Sequence, residues 1–357
     1  MTVAQTIRLL YAIAASACFV TFPSVAFAQA FLPPAGEGNL TVSYQNLFAR
    51  GHWDLNGDRM SGDSGYDPTQ GHAVVMEVEF GLTNRFAVSG SLPYIRSRYE
   101  GTHPHLVGGV PGELQEWDNG LYHGTFQDFR IGARYNVTRR PFAITPSFEV
   151  IIPSHHYPAT AHAAVGKDLR AYVVGGSVGG FLDALLPRMF FQTTVSYAVV
   201  QDIVGIRPNR SLVAGELGYF IKPRLSVRFL ESYLVTHDGF DLLSFTPMTD
   251  ALFHGTDIHI PPEYRRYHDR LQASNYFSLG GAVGFSLNDS IEVFADAAQM
   301  VWGESVHPLR GISVGINTHF STRRAAPGPR TRDQERTRNQ GPRPGDYGRG
   351  QAETKLL

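Results

Sequence analysis

Between Asn39 and Phe320 the sequence contains twelve stretches in which apolar and polar residues alternate. Each stretch is 11 to 16 residues long, and the gaps between successive stretches are 20, 3, 25, 3, 15, 6, 9, 2, 34, 3 and 6 residues. Because side chains alternate along a β-strand, a period of two predicts strands with one apolar and one polar face. Long connections that alternate with short ones are typical of an up-and-down barrel in an outer membrane.

The clearest predicted hairpin is GHAVVMEVEFGL and FAVSGSLPYIR, joined by TNR. In its first strand Val74, Met76 and Val78 share one face, whereas Glu77 and Glu79 share the other. A soluble sandwich would show the same alternation, with its apolar face turned inward. The strand lengths favour the membrane, because a tilted spanning strand needs about 9–11 residues and soluble strands usually have about 5–6. We therefore predict an all-β fold, a 12-stranded antiparallel up-and-down transmembrane β-barrel with long extracellular loops.

An even number of strands places both chain termini on the same side of the membrane. In outer-membrane barrels the short turns face the periplasm and the long loops face outside. The pattern therefore predicts the outer membrane of a Gram-negative cell, with periplasmic termini and the long gaps on the outer surface.

The first 28 residues have the pattern of a secretory signal peptide. Arg8 supplies the positive charge, residues 9–20 the apolar stretch, and residues 26–28 a small-x-small cleavage motif. Cys18 is the only cysteine, and the residues before it make a poor lipoprotein signal. Cleavage after Ala28 would leave a barrel over residues 29–320 that has no disulfide or thiol chemistry.

Residues 321–357 are rich in Arg, Pro, Gly and Gln and lack apolar periodicity, which predicts a disordered basic tail. The tail has eight arginines and one lysine against four acids, so it carries +5. Since the whole chain carries −1 and the signal +1, the barrel portion carries −7. Two interpretations of the tail stay open, a solvated extension and a tether to an acidic periplasmic partner.

The last predicted strand, GISVGINTHF, carries a pattern that barrel assembly uses. Ser313, Gly315 and the aromatic Phe320 resemble the polar-x-Gly…aromatic signal by which the barrel-assembly machinery recognises outer-membrane barrels. The expected partners are that machinery, the outer-membrane lipid with its lipopolysaccharide, and a small-molecule solute. Nucleic acid is not expected.

Short motifs in GLTNRFAVSGSLPYI and HGTFQDFRIGARYNV resemble a family of outer-membrane channels, the meta-pathway of phenol degradation proteins. The resemblance implies a channel for hydrophobic or aromatic small molecules. The chain departs from the family pattern at residues 125–127, which replace glycines, and at residues 154–155, which replace Thr-Gly. The matching residues are Gly81, Leu82, Thr83, Asn84, Pro93, Tyr94, Asp128, Arg134, Tyr135 and Pro153.

The polar faces of the predicted strands place seven acids and three arginines in the lumen. The hairpin turns predict that Arg130 lies about opposite Glu149 and that Glu216 lies near Arg228. The set is interpreted either as a salt-bridge network that fills the barrel or as a selectivity filter that favours cations or neutral solutes. The predicted pore-lining residues are Glu77, Glu79, Asp128, Arg130, Arg134, Glu149, Glu216, Arg228, Glu292 and Asp296.

Eleven of the fourteen histidines fall in the long gaps. Imidazole binds Zn, Cu or Ni and titrates near pH 6.5, so converging loops could capture a metal or gate with pH. Solvated loop histidines are the alternative interpretation. The candidate metal ligands are His103, His105, His155, His156, His254, His259 and His268.

The function predicted from the sequence is passive uptake of small solutes, hydrophobic or aromatic ones among them, through a lumen with a mainly acidic charged belt. We expect neither enzymatic activity nor a cofactor. A structural or adhesive barrel, a metal-binding or pH-gated barrel, and an outer-membrane lipid hydrolase are the alternatives. The hydrolase needs a Ser and a His on the outer rim, and the sequence has no Asn-x-His-x-Ser pattern.

Overall fold

A computed structural model of the chain describes residues 30–53, 56–60, 68–101, 116–183, 186–239, 267 and 269–322. The predicted signal peptide and nearly all of the predicted tail lie outside these residues. No helix within them is long and apolar enough to cross a membrane. The strands are β1 (Glu37–Ala49), β2 (His52–Trp53), β3 (Arg59–Met60), β4 (Thr69–Gly81), β5 (Phe86–Tyr99), β6 (His123–Phe126), β7 (Asp128–Tyr135), β8 (Ala143–Pro153), β9 (Ala171–Phe181), β10 (Met189–Val200), β11 (Asn209–Lys222), β12 (Leu225–His237), β13 (Asn275–Ser286), β14 (Ile291–Glu304) and β15 (Leu309–Ser321).

The long strands close into a barrel because β1 pairs antiparallel with β4 on one side and with β15 on the other. Strands β6 and β7 form one spanning strand that is interrupted at Gln127, and both pair with β5. Strands β2 and β3 form a separate short hairpin. In the described part of the chain, twelve antiparallel spanning strands therefore form a closed barrel, which confirms the predicted fold class.

The apolar face of each strand points out of the barrel. In β4 the outward side chains of Val74, Met76 and Val78 are 45%, 54% and 42% exposed, while Glu77 and Glu79 point inward. The same arrangement continues around the barrel, with exposed outward residues that include Ile131, Tyr172, Val195, Phe229, Val283 and Ile316. In water this surface would be unfavourable, whereas lipid solvates it.

The connections differ at the two ends of the barrel. Those at one end are short and span residues 82–85, 136–142, 182–188, 223–224 and 287–290. The opposite end carries the long connections, among them 50–68, 100–122, 154–170 and 238–274. We call these the short-turn end and the long-loop end.

Direct backbone pairing of Arg130 with Glu149 is displaced by two residues, whereas Glu216 lies diagonally near Arg228 as predicted. Arg130 pairs with Ile151 rather than with Glu149, and Glu216 lies two positions from the residue opposite Arg228. In the first hairpin the turn is centred one residue later in the chain than the sequence pattern indicates. When the centre of a hairpin turn is displaced by one residue, the partner of every residue in the hairpin changes by two positions.

We expect an outward charge in the middle of the barrel to destabilise it, because the charge would face lipid. Val195→Arg should lower the free energy of unfolding by about 2–4 kcal/mol. Leu287→Arg, a matched change at an exposed residue in the β13–β14 turn, should cost about 1 kcal/mol or less. Urea titrations in phospholipid vesicles measure both values. Equal losses would contradict the assignment of the outer face.

Candidate solute pathway through the barrel

The inward faces of the strands enclose a cavity of about 440 Å³. Arg228 and Glu292, two of the ten predicted lumen residues, lie on the inward faces of β12 and β14 without lining this cavity. The other eight line it, namely Glu77, Glu79, Asp128, Arg130, Arg134, Glu149, Glu216 and Asp296.

The cavity residues that were not predicted include Lys167, Gln192, Arg210 and Tyr276. Arg210 has the inward parity of β11 and lies close to the start of that strand at Asn209. Lys167 belongs to a loop, so strand parity could not identify it. Arg210 shares the parity of the predicted lumen residue Glu216, six positions later on β11, and that parity was the available signal.

Opposite charges are paired along the lumen wall, between strands that lie close together in the sheet. Arg134 donates a hydrogen bond to Glu79 Oε1, and the two side chains are only 14% and 12% exposed. Arg130 Nη1 lies 3.6 Å from Glu149 Oε1, and this pair is far more exposed. The lumen thus contains one largely buried ion pair and a looser one.

The connection 154–170, which we call the inner loop, folds into the barrel. Ala161, Ala163, Ala164 and Val165 are completely buried. Residues 166, 167 and 169 line the cavity and form its boundary on the side of the long-loop end. A loop predicted to lie on the outer surface therefore narrows the lumen.

Polar groups of the barrel hold the backbone of the inner loop. Ser97 Oγ donates to the Ala163 carbonyl, and Gln127 Nε2 donates to the Val165 carbonyl at 2.7 Å. The Asp118 carboxylate accepts the N–H groups of His162 and Ala163 at 3.0 and 2.9 Å. A buried backbone needs such partners, since an unpaired buried amide or carbonyl is costly.

Tyr157 connects the inner loop to the lumen wall. Its hydroxyl donates to Asp128 Oδ1 at 2.6 Å and accepts the N–H of Asp168 at 3.0 Å. Burial and the neighbouring Asp128 carboxylate raise the pKa of the Tyr157 hydroxyl far above its ordinary value. Tyr157 therefore stays a neutral phenol and keeps its proton for Asp128.

Arg270 joins the inner loop to the end of the long connection 238–274. Its guanidinium donates to the carbonyls of Lys167 and Asp168 and lies 3.4 Å from Asp168 Oδ2. In return, Lys167 Nζ donates to the Gln272 carbonyl at 3.0 Å. The sequence also predicts a partial lid over residues 250–270, and this segment lies outside the described residues apart from 267, 269 and 270.

Residues 30–36, the N-terminal segment, cross the lumen at the short-turn end. Ala30 is completely buried, and its carbonyl accepts hydrogen bonds from Asn136 Nδ2 at 3.3 Å and from Thr145 Oγ1 at 2.7 Å. These partners lie across the barrel from β1, which follows the segment. A Cβ at Gly81 would lie 2.3 Å from the Pro34 carbonyl oxygen, so the segment passes directly over that glycine.

The two departures from the resemblance motif contact each other. Thr125 Oγ1 lies 2.8 Å from His155 Nε2, and Ser154 Oγ donates to the Phe126 carbonyl at 3.0 Å. The adjacent Gln127 binds the inner loop. Both departures therefore lie where the inner loop leaves the barrel wall.

The candidate metal ligands are only partly described. His155 contacts Ser154 and Thr125, and His156 Nδ1 lies 3.2 Å from Asp168 Oδ2. The described residues contain no group of three or more His, Cys, Asp or Glu side chains that could hold a metal ion. The remaining candidates lie outside the described residues: His103, His105, His254, His259 and His268.

No known protein-family profile and no curated protein sequence matches this chain. The resemblance to the phenol-degradation channels is therefore not supported at the level of sequence. Solved structures do match the fold. An outer membrane channel from Pseudomonas putida F1 has a TM-score of 0.60 and 9% identity, and the match covers 83% of this chain and 100% of that one.

Two further solved barrels are similar at lower scores. The translocator domain of the autotransporter NalP from Neisseria meningitidis has a TM-score of 0.44 and 8% identity over 81% of this chain and 90% of that one. The KdgM porin has a TM-score of 0.39 and 7% identity over 78% of this chain and 99% of that one. At 9% identity the match to the Pseudomonas channel shows the fold alone, a barrel of the outer-membrane type.

The Arg134–Glu79 pair should contribute strongly to stability, because removal of one partner leaves a largely buried charge alone. Arg134→Ala should lower the free energy of unfolding by about 3–5 kcal/mol. The matched change Arg130→Ala removes a looser, more exposed pair and should cost below about 1 kcal/mol. Urea unfolding in vesicles compares the two variants. A smaller loss for Arg134→Ala than for Arg130→Ala would contradict this ranking.

Proposed function

We propose that this protein is an outer-membrane channel that takes up small solutes passively. The observation that carries the proposal is the cavity of about 440 Å³ inside the closed barrel, between the inner loop and the N-terminal segment. A pathway narrowed at both ends suits single small molecules rather than polymers. Its volume falls in the range of about 300–1,000 Å³ that is usual for small-molecule sites.

The orientation follows the general rule for such barrels. The long-loop end faces outside, and the short turns face the periplasm together with both ends of the barrel domain. Solutes then meet the inner loop first and the N-terminal segment last.

The cavity lining favours solutes that combine an apolar body with a neutral or positive group. Val75, Ile151, Leu169, Leu212 and Leu234 contribute apolar surface to the cavity. Acidic side chains outnumber basic ones among the predicted lumen residues. Small hydrophobic or aromatic molecules of this kind are therefore the proposed solutes.

The charged belt has two roles in this proposal. The Arg134–Glu79 pair is largely buried and connects β4 with β7 over the intervening strand β5. Glu77 and Asp296 line the same cavity and set the field that a passing ion meets. The belt is thus a structural network and a weak cation filter at once.

Neutralising lumen acids should reduce the preference for cations. Glu77→Gln with Asp296→Asn should move the reversal potential in a potassium chloride gradient toward that of an unselective pore. Planar-bilayer recordings measure the shift. Asp289→Asn, which removes a charge from the exposed β13–β14 turn, is the control and should leave the potential unchanged. No shift in the double variant would exclude the filter.

Release of the inner loop should widen the pathway. Asp118→Ala removes two hydrogen bonds from the loop backbone, so we expect a larger mean single-channel conductance. The control is Glu116→Ala, because Glu116 and Asp118 belong to the same short 3₁₀ helix (Glu116–Asp118) and the Glu116 side chain is exposed. A barrel without conductance in both variants and in the wild type would favour the structural or adhesive alternative. Equal conductance in all three would show that the loop does not limit flow.

A further inference from the structure

The outer wall of the barrel carries a cluster of arginines near the long-loop end. Cross-strand pairing sets Arg310, Phe48, Gln70 and Arg98 in one row over β15, β1, β4 and β5. All four share the parity of the lipid-facing side chains of their strands. The row spans three strand spacings, or about 14 Å.

The next outward row toward the membrane is also polar, on three strands. It contains Asn46 on β1, His72 on β4 and Arg96 on β5, again paired directly. One further row in that direction, Tyr44 and Tyr94 flank the exposed Val74. The wall therefore changes from apolar to aromatic to cationic within a few residues.

Tyr122, just before β6, holds the two arginines of β5 in place. The Arg96 and Arg98 guanidinium carbons lie 4.5 and 4.7 Å from the centre of its ring. Its hydroxyl donates to Gln70 Oε1 at 3.0 Å and lies 3.1 Å from His72 Nε2. Stacking on a hydrogen-bonded ring reduces the freedom that these long side chains would lose on binding.

The His72 ring is fixed from its other side as well. Its Nδ1 lies 2.7 Å from the Tyr44 hydroxyl, and the two rings stack with centroids 6.0 Å apart. The contacts run without interruption from β1 through β4 to β5. We call Gln70, His72, Arg96, Arg98, Tyr122 and Arg310 the rim patch.

The rim patch lies at the level of the lipid headgroups. Arg96 is ten residues along β5 from Phe86, which corresponds to about 24 Å along the membrane normal at the usual rise and tilt. The apolar band of such barrels is about 25 Å tall and ends in aromatic girdles. Tyr94 and Phe126 form an aromatic pair just below Arg96, with centroids 5.2 Å apart.

The positive charge is concentrated in this sector. The rim patch contains three arginines, and Glu100 forms an ion pair with Arg98. Near the same end of β10 and β12 the outward residues are instead Tyr197 and Tyr233, both 41% exposed. An aromatic girdle alone does not require arginines here, because tyrosine already suits the interface.

We infer that the rim patch binds the phosphate groups of an outer-leaflet glycolipid of the lipopolysaccharide type. Guanidinium groups bind phosphate oxygens through paired, charge-assisted hydrogen bonds. The exposed Val74 and Met76 directly beneath offer a surface for the acyl chains of the same molecule. The arginines of the rim patch, with apolar surface next to them on the membrane side, fit a phosphorylated lipid better than a free anion. The inference uses the proposed orientation and does not depend on solute conduction.

The test measures binding of lipid A to the purified full chain in detergent micelles by native mass spectrometry. Arg96→Gln with Arg98→Gln should weaken binding by roughly tenfold or more, since each lost charge-assisted hydrogen bond is worth about that factor. Arg85→Gln with Arg224→Gln removes the same charge from the short turns and is the matched control. Its affinity should equal that of the wild type.

Two further arms separate the sources of phosphate. Lipid A stripped of its phosphates should bind the wild type as weakly as phosphorylated lipid A binds the double variant. Millimolar inorganic phosphate should not displace lipid A, because the free anion lacks the acyl contacts. Equal binding of stripped lipid A, full displacement by inorganic phosphate, or undiminished binding in the Arg96/Arg98 variant would each overturn the inference. Unchanged conductance in that variant would show that the pathway itself is intact.

Discussion

The structure depends on the need to pair every backbone N–H and C=O group in a lipid environment that offers no hydrogen bonds. The chain meets this need by closing the sheet, so that β1 pairs with β4 on one side and with β15 on the other. Closure removes the free edges and fixes which side chains face lipid. The strict alternation of Val74, Met76 and Val78 with Glu77 and Glu79 follows from that single constraint.

A closed twelve-stranded barrel encloses space that must be filled or used. Among the described residues, the inner loop and the N-terminal segment supply part of this filling, and strand periodicity governs neither of them. Each is held by side chains that donate to its backbone, such as Gln127 to the Val165 carbonyl and Thr145 to the Ala30 carbonyl. Backbone groups of the barrel therefore pair with one another around the wall, while side chains on the inner face bind the segments inside. The cavity is the space between the inner loop and the N-terminal segment.

The strands, their faces and most lumen charges could be predicted from the sequence, because parity depends only on local alternation. The cross-strand backbone partner of Arg130 could not be predicted, because a displacement of one residue in the turn changes the residue opposite by two positions. The inner loop was predicted to lie outside, yet its buried residues 159–166 read ATAHAAVG, a run of small side chains unusual for a solvated loop. That composition was the available signal. The partners of the loop, Ser97 and Asp118, lie far away in sequence and carry no local mark.

Residues 125–127 and 154–155, where the chain departs from the resemblance motif, have a structural role in holding the inner loop. Glycines at residues 125–127 would leave no side chain to reach inward, whereas Gln127 binds the Val165 carbonyl and Thr125 contacts His155. Ser154 closes the arrangement by donating to the Phe126 carbonyl. These contacts lie at the interruption between β6 and β7. The interrupted spanning strand therefore also holds the inner loop, which narrows the lumen. Differences between related barrels at this point would then change the width of the pathway while the fold stayed the same.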